Sequence, residues 1–329
     1  MNDKERLLSY IKGDHKDWMG YAFTGCPRPY PFFIDPFTAA EIRHTTDCYT
    51  DWWGVPWRQS KEDPGAVPLN NEANAIIKDI TEWQEFVQFP DLNEMDFEPT
   101  RQALANVNRE ETLVIFPGYY GPFERIHTLM PFDECLMAIY EEPEALSDLL
   151  GAIVDWRIQA LEPIIDEFHP DIMHCHDDWG SDTGLFMEPG LFRKYFKPHY
   201  RRYYAFLKDK GVLVQHHNDG IGQGLETDML DMNIDMWQGV IVSNDIMEMK
   251  KHTDGKLIYM GGLDQVKLDN PGISEEEIRA EVRRAIDTYG PGGCFLPCYP
   301  SALAINVPGQ FIAMDEIDRY SEIWMEKNL

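Results

Sequence analysis

The chain has 329 residues, of which 43% are hydrophobic and 12% aromatic, which is typical of a globular protein with a sizeable core. Its 57 acidic and 29 basic residues give a formal net charge of -28, which opposes binding to nucleic acid, to anionic membranes and to highly anionic substrates. No run of about 18 apolar residues occurs and the first six residues contain no signal core, so we expect a cytoplasmic protein without a membrane span.

The first 110 residues read as irregular and rich in helix. The patterns predict a helix over 5–12, a strand over 18–23, and helices over 38–50 and 74–85. The stretch 51–57 is densely aromatic and includes Trp52, Trp53 and Trp57. It is either a piece of the hydrophobic core or a wall of a substrate pocket.

From residue 112 onward, predicted strands and helices alternate regularly. The strands are expected at 112–116, 171–175, 212–215, 234–238, 257–260 and 294–297. The helices that follow are expected at 143–169, 189–210, 224–232, 244–250, 274–289 and 308–325. This alternation predicts a parallel sheet with helical crossovers. With one or two further strands from the N-terminal third, it fits an α/β protein of the TIM type, a (β/α)8 barrel with an extended helical N-terminal region.

We therefore expect a single barrel domain over residues 1–329. Residues 1–110 would form the N-terminal extension and the first strands, and residues 111–329 the regular βα units. Barrel enzymes place their chemistry at the carboxyl ends of the strands. Polar residues occupy those ends here: Glu124, His174, His176, Asp177, Asp178, His216, His217, Asp219, Gln238, Asp264 and Cys298. Their spread over many strand ends favours a barrel over a doubly wound sheet, which would concentrate them at one switch point.

A metal site is one interpretation of these strand ends. His217, Asp219 and Cys298 would supply nitrogen, oxygen and sulfur donors, a set that suits zinc with an open fourth position. A histidine near a strand end is also commonly a structural group or a general acid. Asp177 and Asp178 can carry raised pKa values through their like charges, or they can cap the next helix or accept from a histidine N–H. The six cysteines are widely spread, so we expect reduced thiols.

The order and spacing of several segments resemble the uroporphyrinogen decarboxylase superfamily, which includes cobalamin-dependent methyltransferases. The matching segments are Gly121-Pro122-Phe123-Glu124, Asp177-Asp178-Trp179-Gly180, Met187-Glu188-Pro189, His217-Asn218-Asp219-Gly220, Gly261-Gly262-Leu263-Asp264 and Gly292-Gly293-Cys294-Phe295-Leu296-Pro297-Cys298. The resemblance implies an α/β barrel. It also implies one of two chemistries, cofactor-free decarboxylation of a polyanionic tetrapyrrole or methyl transfer.

The decarboxylase alternative fits this sequence less well. Decarboxylases of the family hold their substrate with arginines in a glycine-containing N-terminal segment. No Arg-Gln-Ala-Gly-Arg-like segment occurs here, and the nearest stretch is Gly25-Cys26-Pro27-Arg28-Pro29. The charge of -28 also opposes a substrate with many carboxylates.

The methyltransferase branch binds zinc through a His-x-Cys pair and a later cysteine. Carried over by position, His217 matches the histidine and Cys298 the later cysteine, while Asp219 stands where the first cysteine is usual. One thiolate fewer makes the site harder, which favours coordination of an oxygen-bearing substrate. The resemblance thus implies zinc as the cofactor, with an altered ligand set.

The resulting hypothesis is a corrinoid-dependent methyltransferase of the O-demethylase type. A small methoxylated or methylated compound would be the methyl donor, and a separate corrinoid protein the acceptor, since the chain has no Asp-x-His-x-x-Gly segment. The expected catalytic residues are Glu124, Asp177, Asp178 and His216, and the expected substrate-binding residues are Trp53, Tyr120, His176, Trp179 and Asp264. Open alternatives are a metal-independent decarboxylase or lyase that uses Asp177 or Asp178, and a non-catalytic ligand-binding barrel. The donor, the direction of transfer and the choice between monomer and homodimer stay open.

Overall fold

The computed structural model describes residues 2–14, 48–58, 66–118, 120–300 and 306–328. The strand predicted over 18–23, most of the helix predicted over 38–50, and Tyr119 lie outside the described residues.

The described N-terminal part contains one helix and a small antiparallel sheet. Helix α1 spans Asp3–Ile11 and begins with a capping box between Asn2 and Glu5, which confirms the predicted first helix. Strands β1 (Cys48–Thr50), β2 (Pro56–Arg58) and β3 (Val67–Pro68) pair in that order. The helix prediction is therefore wrong at residues 48–50, which pair with β2.

The helix predicted over 74–85 is also largely wrong. The chain forms only a 3-10 turn at Ile80–Glu82 and a short helix α2 at Trp83–Phe86. The backbone N–H groups of Ile76 and Ile77 both donate to the carbonyl of Leu129, at 2.9 Å each. Because these donors are used in a tertiary contact, they cannot form the i to i-4 bonds of a helix.

Six strands form the parallel sheet that the alternation predicted. They are β4 (Ile115–Gly118), β5 (Ile172–His176), β6 (Leu213–His217), β7 (Met236–Val240), β8 (Ile258–Gly262) and β9 (Phe295–Cys298). They lie side by side in chain order, and each pair of neighbours is parallel. Parallel strands in chain order, with helices between them, are the arrangement of a TIM-type α/β barrel, so the predicted fold class is confirmed.

The helices from residue 98 onward include all six predicted ones, whereas those at 98–104, 122–129, 132–141 and 265–268 were not predicted. They are α3 (Glu98–Leu104), α4 (Pro122–Leu129), α5 (Phe132–Glu141), α6 (Pro143–Phe168), α7 (Pro189–Leu191), α8 (Lys197–Asp209), α9 (Glu226–Asp231), α10 (Ile246–His252), α11 (Gln265–Leu268), α12 (Glu275–Tyr289) and α13 (Val307–Asn328). A capping box between Ser274 and Glu277 begins α12. Across the described ranges, no helix combines the length and the hydropathy needed to cross a bilayer.

Alternate residues of the strands enter two separate hydrophobic clusters. The outer cluster packs the sheet against the helices and includes Met173, Cys175, Val214, Trp237 and Tyr259. The inner cluster, which we call the barrel interior, consists of Leu113, Ile115, Ile172, Met236, Ile258, Met260, Leu296 and Cys298, together with Leu7, Tyr10 and Ile11 of α1. Since side chains alternate along a strand, each residue's position fixes which cluster it joins.

Helix α1 is tied directly to the last strand. The hydroxyl of Tyr10 donates to the carbonyl of Phe295 at 3.1 Å and accepts from the N–H of Phe295 at 2.9 Å. Its apolar residues pack against the start of the strands, so α1 covers the apolar barrel interior. The polar residues that concern function lie at the other, carboxyl ends.

Candidate active site

Two histidines and an aspartate converge at the carboxyl ends of β5 and β6. His176 lies opposite His217 in the strand register, and their imidazole rings stack with centroids 4.2 Å apart. Asp178 lies two residues beyond the end of β5. Nitrogen or oxygen atoms of these three residues all lie within 4.8 Å of one another, and we call the group the His–Asp cluster. This spacing is compatible with a bound metal ion.

Asp219 borders the same cluster. The Nε2 atom of His217 lies 3.9 Å from Asp178 Oδ1 and 4.0 Å from Asp219 Oδ2. The backbone N–H of Asp219 donates to Asp178 Oδ1 at 3.0 Å, which holds the two carboxylates on the same side of the imidazole. The side chain of His217 is 6% exposed, whereas that of Asp219 is 38% exposed, so the cluster reaches solvent on its acidic side.

The second ring nitrogen of each histidine already has a partner. His176 Nδ1 lies 2.9 Å from Glu124 Oε2, and His217 Nδ1 is in a short hydrogen bond with Gln238 Oε1. Contacts of this kind orient metal-ligating histidines and leave Nε2 as the atom that binds the ion. Glu124 reaches His176 because it lies in the first turn of α4, beside the end of β5.

A bound cation would offset the cost of burying charged carboxylates at this site. Burial raises the pKa of Glu124 to about 8 and that of Asp178 to about 7. Burial also lowers the pKa values of His176 and His217, which keeps both imidazoles neutral, the form that binds metal. Neutral imidazoles and buried carboxylates are nitrogen and oxygen donors of the kind that zinc and other divalent ions take. The donor set therefore fits a metal ion.

Cys298 does not join this cluster, and the predicted ligand set is corrected accordingly. Its side chain is fully buried in the barrel interior, among residues such as Met260 and Leu296. Burial raises the pKa of the thiol to about 12, with the amide of Gln238 acting in the opposite direction. In this structure the thiol packs as a small hydrophobic group. Of the predicted ligands, the structure brings together His217 and Asp219, and adds His176 and Asp178.

His216 and Trp179 lie on the outer side of the sheet, away from the cluster. His216 adjoins His217 on β6, so its side chain faces the helices. Its ring stacks on Trp179 with centroids 3.8 Å apart, and its Nδ1 lies 3.0 Å from the hydroxyl of Tyr204. Both His216 and Trp179 have 0% exposure. The predictions that His216 protonates a leaving group and that Trp179 contacts substrate are corrected, because neither side chain reaches the barrel mouth, which is the opening at the carboxyl ends of the strands.

Asp177 takes the helix-capping role that the sequence left as an alternative. Its carboxylate accepts from the backbone N–H groups of Phe123 at 3.2 Å and Glu124 at 2.8 Å, in the first turn of α4, and from the hydroxyl of Tyr200. A Cβ at Gly121 would overlap the Asp177 side chain, so the glycine allows this close approach. Asp177 has 0% exposure, so its predicted catalytic role is corrected to a structural one that positions Glu124.

The predicted aromatic contacts belong to the core beside the mouth. Trp53 is buried against Phe89 and Trp156. Tyr120 is half-buried and stacks on Trp57 with centroids 4.9 Å apart. The aromatic stretch is therefore mainly a core element, in agreement with the first of the two interpretations.

An open cleft of about 790 Å³ lies beside the cluster, at the ends of β6, β7 and β8. Four aspartates contribute to its lining: Asp182, Asp219, Asp264 and Asp269. Its apolar wall consists of Ile241, Val242, Leu263, Val266 and Pro271. Its described lining includes no lysine or arginine. Asp264, predicted to contact substrate, lies in this cleft, and Asp219 is shared between the cleft and the cluster.

The sequence interpretation missed two roles at this site. His176 was expected to contact substrate, whereas the structure places it in the His–Asp cluster, and Gln238, noted at a strand end, received no role. The His176-x-Asp178 spacing was a usable signal, because it continues the two-residue period of β5 just past the end of the strand. The role of Gln238 depends on the register of β6 and β7, in which it lies opposite His217, and no local pattern shows that.

Comparison with known proteins identifies the family. Residues 70–296 match the uroporphyrinogen decarboxylase (URO-D) family, and the chain therefore belongs to it. Among solved structures, the chain is similar to a methyltransferase from Methanosarcina mazei, with a TM-score of 0.64 and 14% sequence identity over 96% of this chain and 98% of that chain. No curated protein matches the chain significantly. The family resemblance inferred from the sequence is thus confirmed, and the structural match extends the common fold over nearly the whole chain.

Proposed function

We propose that this protein is a methyltransferase that takes a methyl group from a small methoxylated or methylated donor and passes it to a corrinoid on a separate protein. The observation that carries the proposal is the convergence of His176, Asp178 and His217 beside an open cleft at the carboxyl ends of the strands. The overall likeness to a methyltransferase of the same length supports it. The corrinoid is assigned to a partner because the chain has no Asp-x-His-x-x-Gly segment.

Zinc would be held by the Nε2 atoms of His176 and His217 and by the carboxylate of Asp178, with Asp219 beside them. Bound there, it would act as a Lewis acid that polarises the oxygen of the methyl donor. This set of ligands contains no thiolate. It is therefore harder than a site with two cysteines, which favours an oxygen-bearing donor over a thiol acceptor.

The residues around the cluster have separate tasks in this scheme. Glu124 and Gln238 hold the two imidazoles in place through Nδ1. Removal of the methyl group as a cation leaves both bonding electrons on the donor oxygen, which then takes up a proton. That proton can come from solvent, which reaches the cluster on its acidic side, where Asp219 is 38% exposed. Asp219 lies between the cluster and the cleft and would orient the donor.

The lining of the cleft bears on the class of donor. Its four aspartates, unaccompanied by lysine or arginine in the described lining, would repel a ligand that carries several carboxylates. Its apolar wall suits a small neutral or cationic molecule with an apolar part. The same charges disfavour the decarboxylation of a polyanionic tetrapyrrole. The capping contacts of Asp177 also withdraw one of the two carboxylates considered for a metal-independent decarboxylase.

Methyl transfer to cob(I)alamin from a panel of methoxylated and methylated compounds tests the proposal. We expect at least one donor to react with the zinc-loaded protein and the variant His217→Ala to lose that activity. His252→Ala is the matched control, because His252 is an exposed histidine paired with Glu226 away from the cleft. Failure of every donor with the zinc-loaded protein, or full activity in His217→Ala, would contradict the proposal.

Elemental analysis separates the enzyme from the alternatives. The proposal predicts stoichiometric zinc that is lost in His217→Ala and retained in His252→Ala. A metal-independent lyase would be active in the zinc-free protein. A non-catalytic barrel would bind the corrinoid protein equally well with and without the His217 imidazole.

A further inference from the structure

Gln238 uses both ends of its side-chain amide at the candidate site. It lies on β7, is 3% exposed, and is opposite His217 in the register. Its Nε2 donates to the backbone carbonyls of Pro300 at 2.9 Å and Tyr299 at 3.4 Å, just after β9. Its Oε1 faces His217 Nδ1. One side chain thus connects the end of β9 to a histidine of the His–Asp cluster.

The two carbonyls determine which way the amide points. A backbone carbonyl only accepts hydrogen bonds, so the NH2 end of Gln238 must face Tyr299 and Pro300. The oxygen end then faces His217, and because an amide oxygen also only accepts, the hydrogen of a neutral imidazole must lie on Nδ1. The lone pair is left on Nε2, the atom that lies 3.9 Å from Asp178 Oδ1 and 4.0 Å from Asp219 Oδ2.

We propose that Gln238 is a positioning residue that fixes His217 in its Nδ1–H tautomer, and that the carbonyls of Tyr299 and Pro300 fix Gln238 in turn. The consequence is that the end of β9 acts on the metal site although its cysteine, Cys298, is not a ligand. Without Gln238, the Nε2–H tautomer becomes accessible and directs a hydrogen at the position where the ion would bind.

The barrel interior contains a second pair of the same kind. His174 Nδ1 lies 2.6 Å from Gln215 Oε1, one inward-facing position earlier on β5 and β6. The Nε2 of Gln215 lies 3.3 Å from the sulfur of Met260, which is a weak acceptor, whereas that of Gln238 faces two carbonyls. The pair is buried and chemically matched, but it lies outside the His–Asp cluster. Gln215 therefore provides an internal control for the loss of a buried glutamine.

Metal titration of the full chain tests the inference, which rests on the proposed metal centre but not on methyl transfer. Apo protein would be titrated with zinc in competition with a chromophoric chelator. We expect Gln238→Met to weaken zinc binding by about 10- to 100-fold. Gln238→Glu restores an acceptor for Nδ1–H while placing a carboxylate against two carbonyls, so its affinity should lie between those of Gln238→Met and the wild type. Gln215→Met should stay within about threefold of the wild type.

Two outcomes of the titration would overturn the inference. One is zinc binding by Gln238→Met at the wild-type affinity. The other is an equal loss of affinity in Gln215→Met, which would attribute the effect to general loosening of the barrel interior. Thermal unfolding of the two apo variants measures that loosening directly, and we expect similar shifts in both.

The tautomer itself can be read by NMR of protein labelled with 15N at histidine. The His217 signal, assigned through its loss in His217→Ala, should be that of an Nδ1–H imidazole in the apo wild type and should change in Gln238→Met. An Nε2–H signal in the wild type would overturn the inference whether or not metal binds. Absence of zinc uptake with the expected tautomer would instead count against the proposed function, so the two failures are distinguishable.

Discussion

The Nδ1 atom of His176 lies 2.9 Å from Glu124 Oε2, at the junction between the end of β5 and the first turn of α4. The contact joins two elements that are separated by the whole of α5 and α6 in the chain. The position of Glu124 depends on Asp177, whose carboxylate accepts hydrogen bonds from two backbone N–H groups in the N-terminal turn of α4. Ligand geometry at the mouth therefore depends on a helix cap on the outer side of the sheet.

Replacing Glu124 should weaken metal binding. Glu124→Ala removes the partner of His176 Nδ1, and we expect zinc affinity to fall by about 10- to 100-fold, with a smaller loss in Glu124→Gln, which keeps an acceptor oxygen. Chelator competition measures the affinity. Glu226→Ala is a matched control, because Glu226 also contacts a histidine Nδ1, that of His252 at 2.7 Å, away from the cluster. Equal affinities in Glu124→Ala and the wild type would contradict the proposed role of this contact.

Replacing Cys298 should leave the metal site intact. Cys298→Ala removes a buried sulfur from the barrel interior, so we expect a loss of roughly 1 kcal/mol in the free energy of unfolding and unchanged zinc stoichiometry. The cobalt-substituted wild type should show no thiolate-to-metal charge-transfer absorption. Such a band that disappears in Cys298→Ala would restore the thiolate ligand that the sequence predicted.

Replacing Asp177 should lower the stability of the fold. Asp177→Ala removes the acceptor of the Glu124 N–H and of the Tyr200 hydroxyl, and one of the two acceptors of the Phe123 N–H, which should cost about 1–3 kcal/mol in the free energy of unfolding. Asp177→Asn keeps one oxygen acceptor and should cost less. Urea denaturation measures both. An unfolding free energy for Asp177→Ala within about 0.5 kcal/mol of the wild type would refute the capping role.

His127 should make the protein sensitive to acid. Burial lowers the pKa of His127 to about 4, below its ordinary value of 6.5. Between these values the unfolded chain binds a proton that the folded protein does not, so the stability is present above pH 6.5 and is lost as the pH falls toward 4. The slope is about 1.4 kcal/mol per pH unit for one proton. We expect His127→Leu to flatten the dependence by one proton in urea unfolding at pH 6.5, 5.5 and 4.5.

His252 provides a contrast of opposite sign. Its hydrogen bond with Glu226 raises its pKa, so its contribution to stability is present at low pH and is lost as the pH rises. Because this contribution is complete below pH 6.5, His252→Gln should lower the stability by a constant amount between pH 6.5 and 4.5 and leave the slope in acid unchanged. If the pH dependence of stability became flatter in both variants, the effect in His127→Leu would not come from the burial of the His127 imidazole.

The regular half of the barrel was predictable because its signals are physical and local. Buried parallel strands are short apolar runs, and the helices between them are amphipathic with clear caps, as at Ser274 and Glu277. The N-terminal errors arose where tertiary contacts took the backbone donors, as at Ile76 and Ile77. Local propensity carries no information about such contacts.

The site was only partly predictable, and β6 explains why. The strand was predicted to end at Gln215 because polar residues follow, whereas it continues through His216 and His217. Once the strand includes both histidines, alternation places them on opposite faces, and only His217 can reach the mouth. The position of Cys298 among the apolar residues of the barrel interior depends on the register of β9, which a single sequence does not reveal.

The paired contacts of Tyr10 have a consequence for shortened forms of the chain. One phenol satisfies both the N–H and the carbonyl of Phe295, a residue 285 positions away in the sequence. Removing residues 2–14 would leave those backbone groups unprotected and uncover the apolar end of the barrel, and bare strand edges are templates for pairing with another chain. A protein trimmed in this way should self-associate, whereas Tyr10→Phe, which keeps the ring, should remain dispersed and lose only the two hydrogen bonds.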